Sequence, residues 1–393
     1  MVNKFCPKWV APNTITTIGL FFVLLAFVSV LRKSPDLSGE ATNEVFFFCA
    51  VCFWIYQTMD GMDGKQARRT GSGSPLGEVV DHGCDAFSAC VYGTILCEAF
   101  SFDARTNRLL VALVTSCGRW NFALDTVTST YDGLLPVNDV DAQEIQVMAQ
   151  VLFLITSYIG CEGWRKLFVP APIALVSTGR VPFGLFFMGS ACVLSYISRL
   201  ATVVRTIRKR REIKASLALI NSKNDARTFA GSSIASNGRR KSLRISSQQS
   251  VLETKSNIDN NNNGFPPHWP SNRSLFMVYL TVCVVEICFF FTVLYADNFL
   301  AAHCCVSVMF TELMIRVMHI RVSDPNFRVF NWTHGILAYI ASQVVKTTDV
   351  VGAGAVIAIA SASWIHRFAH LVAQVTGCLG LHPNIFVIHK KKV

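Results

Sequence analysis

Residues 60–85 read DGMDGKQARRTGSGSPLGEVVDHGCD, and the fold follows from what flanks this stretch. On either side lie apolar blocks at 43–60 and 80–101, both of helix-spanning length. A hydrocarbon core of about 30 Å needs roughly 20 apolar residues to cross it as a helix. Lipid offers exposed backbone N–H and C=O groups no partner, so each span must be helical. Asp60, Asp63, Asp81 and Asp85 therefore fall at the ends of two consecutive membrane helices. Ionised groups in that position are expensive, and a functional site is the default reading. The intervening Thr70-Gly71-Ser72-Gly73-Ser74-Pro75 is turn chemistry, and it predicts a reversal that makes the two helices antiparallel.

The spacing predicts that the acids face one another. Asp60 and Asp63 are i,i+3 and share one helix face, and Asp81 and Asp85 are i,i+4 and share another. Gly64 lies one turn after Asp60 and Gly77 one turn before Asp81, where a missing side chain lets backbone and ligand approach. Converging carboxylates repel one another, and divalent cations remove the repulsion. Mg²⁺ and Mn²⁺ prefer oxygen ligands, and Mg²⁺ is commonly held by few carboxylates together with substrate phosphates. Lys65 and Arg68 beside the acids offer cationic contacts to phosphate. The constellation suggests a metal–diphosphate site.

The rest of the chain supports a membrane setting. Hydrophobic residues make up 51% of 393, charged residues only 16%, and the mean hydropathy is +0.40. Globular chains carry about 25% charged residues. Apolar blocks near 15–32, 43–60, 80–101, 108–130, 144–162, 181–204, 274–297, 299–320, 328–346 and 350–377 predict an all-α polytopic protein of about ten transmembrane helices. The first block follows a head with Trp and Pro and is too long for a signal core, so it reads as a permanent helix. Fourteen cysteines lie mostly in these blocks and read as small buried thiols.

The net charge of +11 is concentrated between Arg205 and Arg273, with 14 Lys or Arg against 4 Asp or Glu. That argues against nucleic acid as a partner, because a basic segment between membrane helices marks the cytosolic side. The chain divides accordingly into a catalytic helical part over 1–204, a basic Ser/Asn-rich linker over 205–273, and C-terminal helices with a tail over 274–393. The linker has too little apolar surface to offset ordering entropy, which predicts disorder. An even number of spans on each side puts both termini in the cytosol, in agreement with Lys4 and Lys8 at one end and Lys390-Lys391-Lys392 at the other. The terminal lysines resemble a dilysine retrieval signal, which predicts residence in the endoplasmic reticulum membrane.

Asp60-x₂-Asp63-Gly64-x₂-Ala67-Arg68-x₈-Gly77-x₃-Asp81-x₃-Asp85 resembles the signature of the CDP-alcohol phosphotransferase family. The strings Asp63–Thr70, Pro75–Glu78 and Asp81–Asp85 are similar to its eukaryotic choline/ethanolamine branch. So are Pro7–Thr16 before the first helix and Thr130–Leu135 followed by Glu144-Ile145-Gln146. The resemblance covers about 1–165 and then fades. The length of the basic linker departs from the branch.

The resemblance implies attack by a lipid hydroxyl on the β-phosphorus of CDP-ethanolamine or CDP-choline, with diacylglycerol or its ether analogue as acceptor and CMP as leaving group. It implies Asp60, Asp63, Asp81 and Asp85 as ligands of two ions, Mg²⁺ or Mn²⁺. It implies Lys65 and Arg68 as phosphate contacts, Gly64, Ala67 and Gly77 as room for the nucleotide, Asn13 as a further contact, and a homodimer. A neutral alcohol must lose its proton, and three bases are candidates: His82, Glu144 and Asp85. His82 assisted by Glu144 is the favoured pair. Two other readings stand beside this one. In the first, a different acceptor such as inositol or glycerol phosphate is used; in the second, the protein is a non-catalytic cation-binding transporter.

Overall fold

The computed structural model describes residues 6–103, 106–132, 142–170, 180–232, 272–296, 298–322, 350–379 and 384–386. Nine helices appear among them: α1 Pro12–Lys33, α2 Asn43–Thr70, α3 Pro75–Ala99, α4 Arg108–Asp132, α5 Ala142–Lys166, α6 Phe183–Ser232, α7 Asn272–Tyr295, α8 Phe299–Val322 and α9 Val350–Leu379. Six of the helices contain segments long and apolar enough to cross a membrane: Pro12–Lys33, Asn43–Thr70, Gln143–Lys166, Phe183–Arg205, Met277–Tyr295 and Phe299–Met318. The chain is a multi-pass membrane protein. The expected block at 328–346 and the terminal lysines lie outside the described residues.

Two features depart from the sequence reading. A small antiparallel hairpin, β1 Phe168–Pro170 with β2 Arg180–Pro182, pairs Val169 with Val181. Each strand ends in a proline, which a ladder tolerates only at its margins. The second departure concerns the basic linker. Disorder was expected from residue 205, but α6 continues without a break to Ser232. The composition explains this: 205–230 holds no Pro or Gly and is rich in Arg, Lys, Ala, Leu and Ile, all acceptable or strong helix formers. Charge argues against burial, and it does not argue against helix. Residues 233–271 lie outside the described residues.

α3 is the axis of the bundle. It packs against α1, α4, α5, α8 and α9. One apolar core gathers α1, α2, α3 and α5 around Val23, Val30, Phe46, Phe53, Ile95 and Phe153. A second gathers α3, α4, α7 and α8 around Ala86, Cys90, Val127, Phe289, Phe310 and Met314. α1 packs against both α2 and α3, whereas α2 and α3 make few close backbone approaches to each other. The reversal between α2 and α3 is built as the turn residues predict. Gly71 takes φ 64° in the left-handed region, where glycine alone is unstrained. The N–H of Ser72 then closes back onto the carbonyl of Ala67 at 3.0 Å, a helix-ending pattern. Ser74 caps α3 by accepting the Gly77 N–H at 3.2 Å, with Pro75 at the first helical position.

The described cysteines are all free thiols, mostly buried, as expected.

Candidate active and metal site

α2 ends and α3 begins with their acids turned toward the space between them. Asp60, Asp63 and Asp81 each offer a carboxylate oxygen, and the three oxygens lie within 4.8 Å of one another. Asp63 is buried, and Asp60 and Asp81 are half-buried. Asp85, one turn further along α3, lies outside this group of three; its Oδ1 accepts a hydrogen bond from Tyr56 Oη. Three of the four expected acids thus converge, while the fourth is held by a hydroxyl beside them.

The cluster is supported from three helices. Thr16 of α1 donates its hydroxyl to Asp63 Oδ2 at 2.5 Å. Tyr56 lies one turn before Asp60 on α2 and reaches across to Asp85, and Ser88 of α3 donates to the Tyr56 oxygen at 3.1 Å. Asp81 Oδ1 is buried and has no hydrogen-bond partner among the described residues. A buried carboxylate oxygen with no partner, set among like charges, is the donor set a divalent cation takes. The residues present fit such an ion.

The phosphate-binding candidates flank the acids. Lys65 and Arg68 are exposed at the end of α2. The Arg68 guanidinium lies over Gly64, with Nη1 3.5 Å from where a Cβ would stand. Ala67 is half-buried on the same turn. Gly77 faces Asn13, whose Oδ1 lies 3.4 Å from the position of a Gly77 Cβ. Asn13 itself is buried, at 6% exposure.

His82 is half-buried. Its Nδ1 is 3.1 Å from the carbonyl oxygen of Glu78 and 3.9 Å from Asp81 Oδ2. A carbonyl only accepts, so Nδ1 carries the hydrogen and the lone pair resides on Nε2. The ring lies against Phe122 of α4, with centroids 6.3 Å apart. Glu144 is exposed in the first turn of α5. That turn is attached to α2, where Gln57 Nε2 donates to the Gln143 carbonyl at 3.1 Å, one turn before Asp60. The structure therefore brings the start of α5 to the acidic end of α2.

Several contributors carry no signal in the motif spacing. Thr16, Tyr56 and Ser88 act across helices. Gln66 and Arg69 hold the segment before α1: Gln66 Nε2 donates to the carbonyls of Pro7 and Val10, each at 2.9 Å, and Arg69 Nη1 donates to that of Cys6 at 2.7 Å. Thr16 and Asn13 are i,i+3 and Tyr56 and Asp60 are i,i+4, so helical phase is the one hint available.

Fold and site together define a class: a multi-pass helical membrane protein with a carboxylate cluster at the mouth of two consecutive helices. Residues 9–164, about two fifths of the chain, match the model of the CDP-alcohol phosphatidyltransferase family. Cholinephosphotransferase 1 of Danio rerio is 37% identical over 165 residues, covering 40% of this chain and 41% of that protein. Cholinephosphotransferase 1 of Homo sapiens is 33% identical over 171 residues, covering 41% of this chain and 39% of that protein. A Dictyostelium discoideum protein described as an uncharacterized CDP-alcohol phosphatidyltransferase class-I family protein 2 is 34% identical over 162 residues, covering 41% and 39%. The matched part spans about two fifths of the length of each of these relatives.

Proposed function

We propose that the protein transfers phosphoethanolamine or phosphocholine from CDP-ethanolamine or CDP-choline to the free hydroxyl of diacylglycerol or its ether analogue, releasing CMP. The observation that carries this reading is the approach of Asp60, Asp63 and Asp81 within 4.8 Å, inside the segment that matches the family. Relatives named cholinephosphotransferase support the head group class.

Asp60, Asp63 and Asp81, with Asp85 beside them, would hold one or two divalent ions, Mg²⁺ or Mn²⁺. When bound, the ions neutralise charge on the diphosphate and on the departing CMP. Lys65 and Arg68 bind phosphate oxygens from the end of α2. Gly64, Ala67 and Gly77 leave the backbone open to the nucleotide, and Asn13 contacts it. His82 takes the acceptor hydroxyl's proton at Nε2, the nitrogen left with the lone pair by the Glu78 contact. Asp81 Oδ2 faces the other nitrogen at 3.9 Å and stabilises the charged ring that forms. Glu144 assists from the start of α5. Tyr56 and Thr16 hold Asp85 and Asp63 in place. Phosphoryl transfer asks mainly for positioning and charge stabilisation, and helix-borne carboxylates supply a rigid frame. We further read the protein as a homodimer of the endoplasmic reticulum membrane with both termini in the cytosol, where soluble CDP-alcohol and bilayer lipid meet.

The test is CMP release by the purified full chain in lipid nanodiscs, given diacylglycerol and each CDP-alcohol in competition. Release that requires inositol or glycerol phosphate instead would assign a different acceptor. No release with any acceptor, together with cation flux in liposomes, would assign a transporter.

A further inference from the structure

Asn13 is tied to the far end of the chain. Its Nδ2 donates to the carbonyl oxygen of Ile385 at 2.7 Å. Its Oδ1 lies on the Gly77 side, 3.4 Å from where a Cβ on that glycine would be. The two ends of one carboxamide thus have different surroundings. A backbone carbonyl only accepts, so the contact decides which way the amide is turned, with nitrogen to Ile385 and oxygen toward the first turn of α3. The Ile385 side chain is anchored next door, packed on the buried cluster of Leu76, Val79, Ile315, Met318 and Leu371. Leu76 is the chain neighbour of Gly77. Asn384 Oδ1 accepts the Phe386 N–H at 2.9 Å, which closes a local turn around Ile385.

We propose that residues 384–386 complete the nucleotide site, with Ile385 as a positioning residue. Its carbonyl holds the Asn13 carboxamide so that Oδ1 is presented at Gly77 as an acceptor for a donor group of the CDP moiety. The inference rests on the reading of Asn13 and Gly77 as nucleotide contacts. It makes a segment outside the family-matched domain a determinant of donor affinity. It also places that effect on the CDP-alcohol alone, since Asn13 is not assigned a contact with the lipid.

The experiment uses the full chain in nanodiscs with Mg²⁺, CDP-choline and diacylglycerol. Ile385→Asp puts a charge into the apolar cluster and releases the segment; Ile385→Val keeps the anchor. The expected result for Ile385→Asp is a rise of roughly 3–10-fold in KM for CDP-choline, the scale of one hydrogen bond. The KM for diacylglycerol and kcat stay near the parent values, and Ile385→Val behaves as the parent. In an Asn13→Ala background the Ile385→Asp change adds nothing further, because both act through one contact. Additive effects, an unchanged or lowered KM in Ile385→Asp, or a fall shared by Ile385→Val would overturn the proposal. CDP-choline binding by calorimetry separates the two readings: weaker binding in Ile385→Asp with no turnover in the parent would sink the reaction and keep the positioning role.

Discussion

Two of the groups of charge within the described helices are built in opposite ways. At the mouth of α2 and α3, Asp60, Asp63 and Asp81 bring three carboxylates within 4.8 Å, and no lysine or arginine of the described residues forms an ion pair with them. Deeper in the bundle, Arg119 of α4 meets Glu286 of α7 at 3.3 Å, with side-chain exposures of 0% and 3%. Around that pair, Arg119 Nη1 donates to the Thr115 carbonyl at 3.0 Å, and His303 of α8 lies 2.6 Å from Thr94 of α3. The first group brings like charges together with no lysine or arginine partner among the described residues. The second carries its own counter-charge and joins four helices. Acids alone did not mark the site; what distinguishes it is acids without a lysine or arginine partner among the described residues, facing a space between helices that stand apart.

The largest effect should come from the uncompensated group. Asp81→Asn is expected to abolish CMP release while leaving insertion and the unfolding midpoint near those of the parent. Chelation with EDTA should do the same and be reversed by added Mg²⁺. Full turnover in metal-free buffer would end the metal reading. Next, His82→Ala should lower turnover by roughly 10²–10⁴, the usual range for loss of a general base, with CDP-choline binding little changed. Near-intact turnover would shift the proton to Glu144 or Asp85.

The compensated group should respond in stability instead. Glu286→Ala leaves the Arg119 guanidinium buried without its partner, which costs about 3–5 kcal/mol. The joint change Arg119→Met, Glu286→Leu removes both charges and should recover most of that loss. Unfolding midpoints in detergent would compare them; a joint variant as unstable as Glu286→Ala would mean that the pair does more than compensate itself. The smallest effect is expected from Tyr56→Phe, which deletes the donor to Asp85. One hydrogen bond to a carboxylate amounts to about 1.5–3 kcal/mol at most, less where a cation shares the oxygen, so turnover should fall by roughly tenfold. A loss as large as that of Asp81→Asn would make Tyr56 part of the chemistry itself.

The sequence made the acids legible because their spacing is local: i,i+3 and i,i+4 intervals fall on one helix face wherever the helix goes. The loop was legible because Gly71, Ser74 and Pro75 each have one physical use there. What could not be read were contacts between elements. Thr16 to Asp63 and Tyr56 to Asp85 depend on how α1, α2 and α3 lean together, and Asn13 to Ile385 spans nearly the whole chain. The Arg119–Glu286 pair was hidden for the same reason, as each residue alone resembles a stray charge in an apolar run. The basic segment misled in another way. Its small apolar surface predicts disorder, yet that surface limits burial only, and Arg205–Ser232 simply prolongs α6.

That prolongation has a consequence for the whole assembly. α6 is 50 residues in one piece, about 75 Å at 1.5 Å per residue, more than twice a hydrocarbon core of about 30 Å. Its apolar portion ends at Arg205, and Arg208, Lys209, Arg210 and Arg211 follow within two turns. The change from apolar to basic falls within one helix. A bilayer that takes up the apolar part would meet the basic part at its surface, because arginines in lipid and leucines or phenylalanines in water both cost free energy. Asn121 and Asp125 of α4 are tied to Arg199 of α6 at 3.0 and 2.7 Å, just short of that change. Through them α6 is joined to α4, whose Phe122 touches His82. The position of His82 is thereby linked, through α4, to a helix outside the acidic cluster.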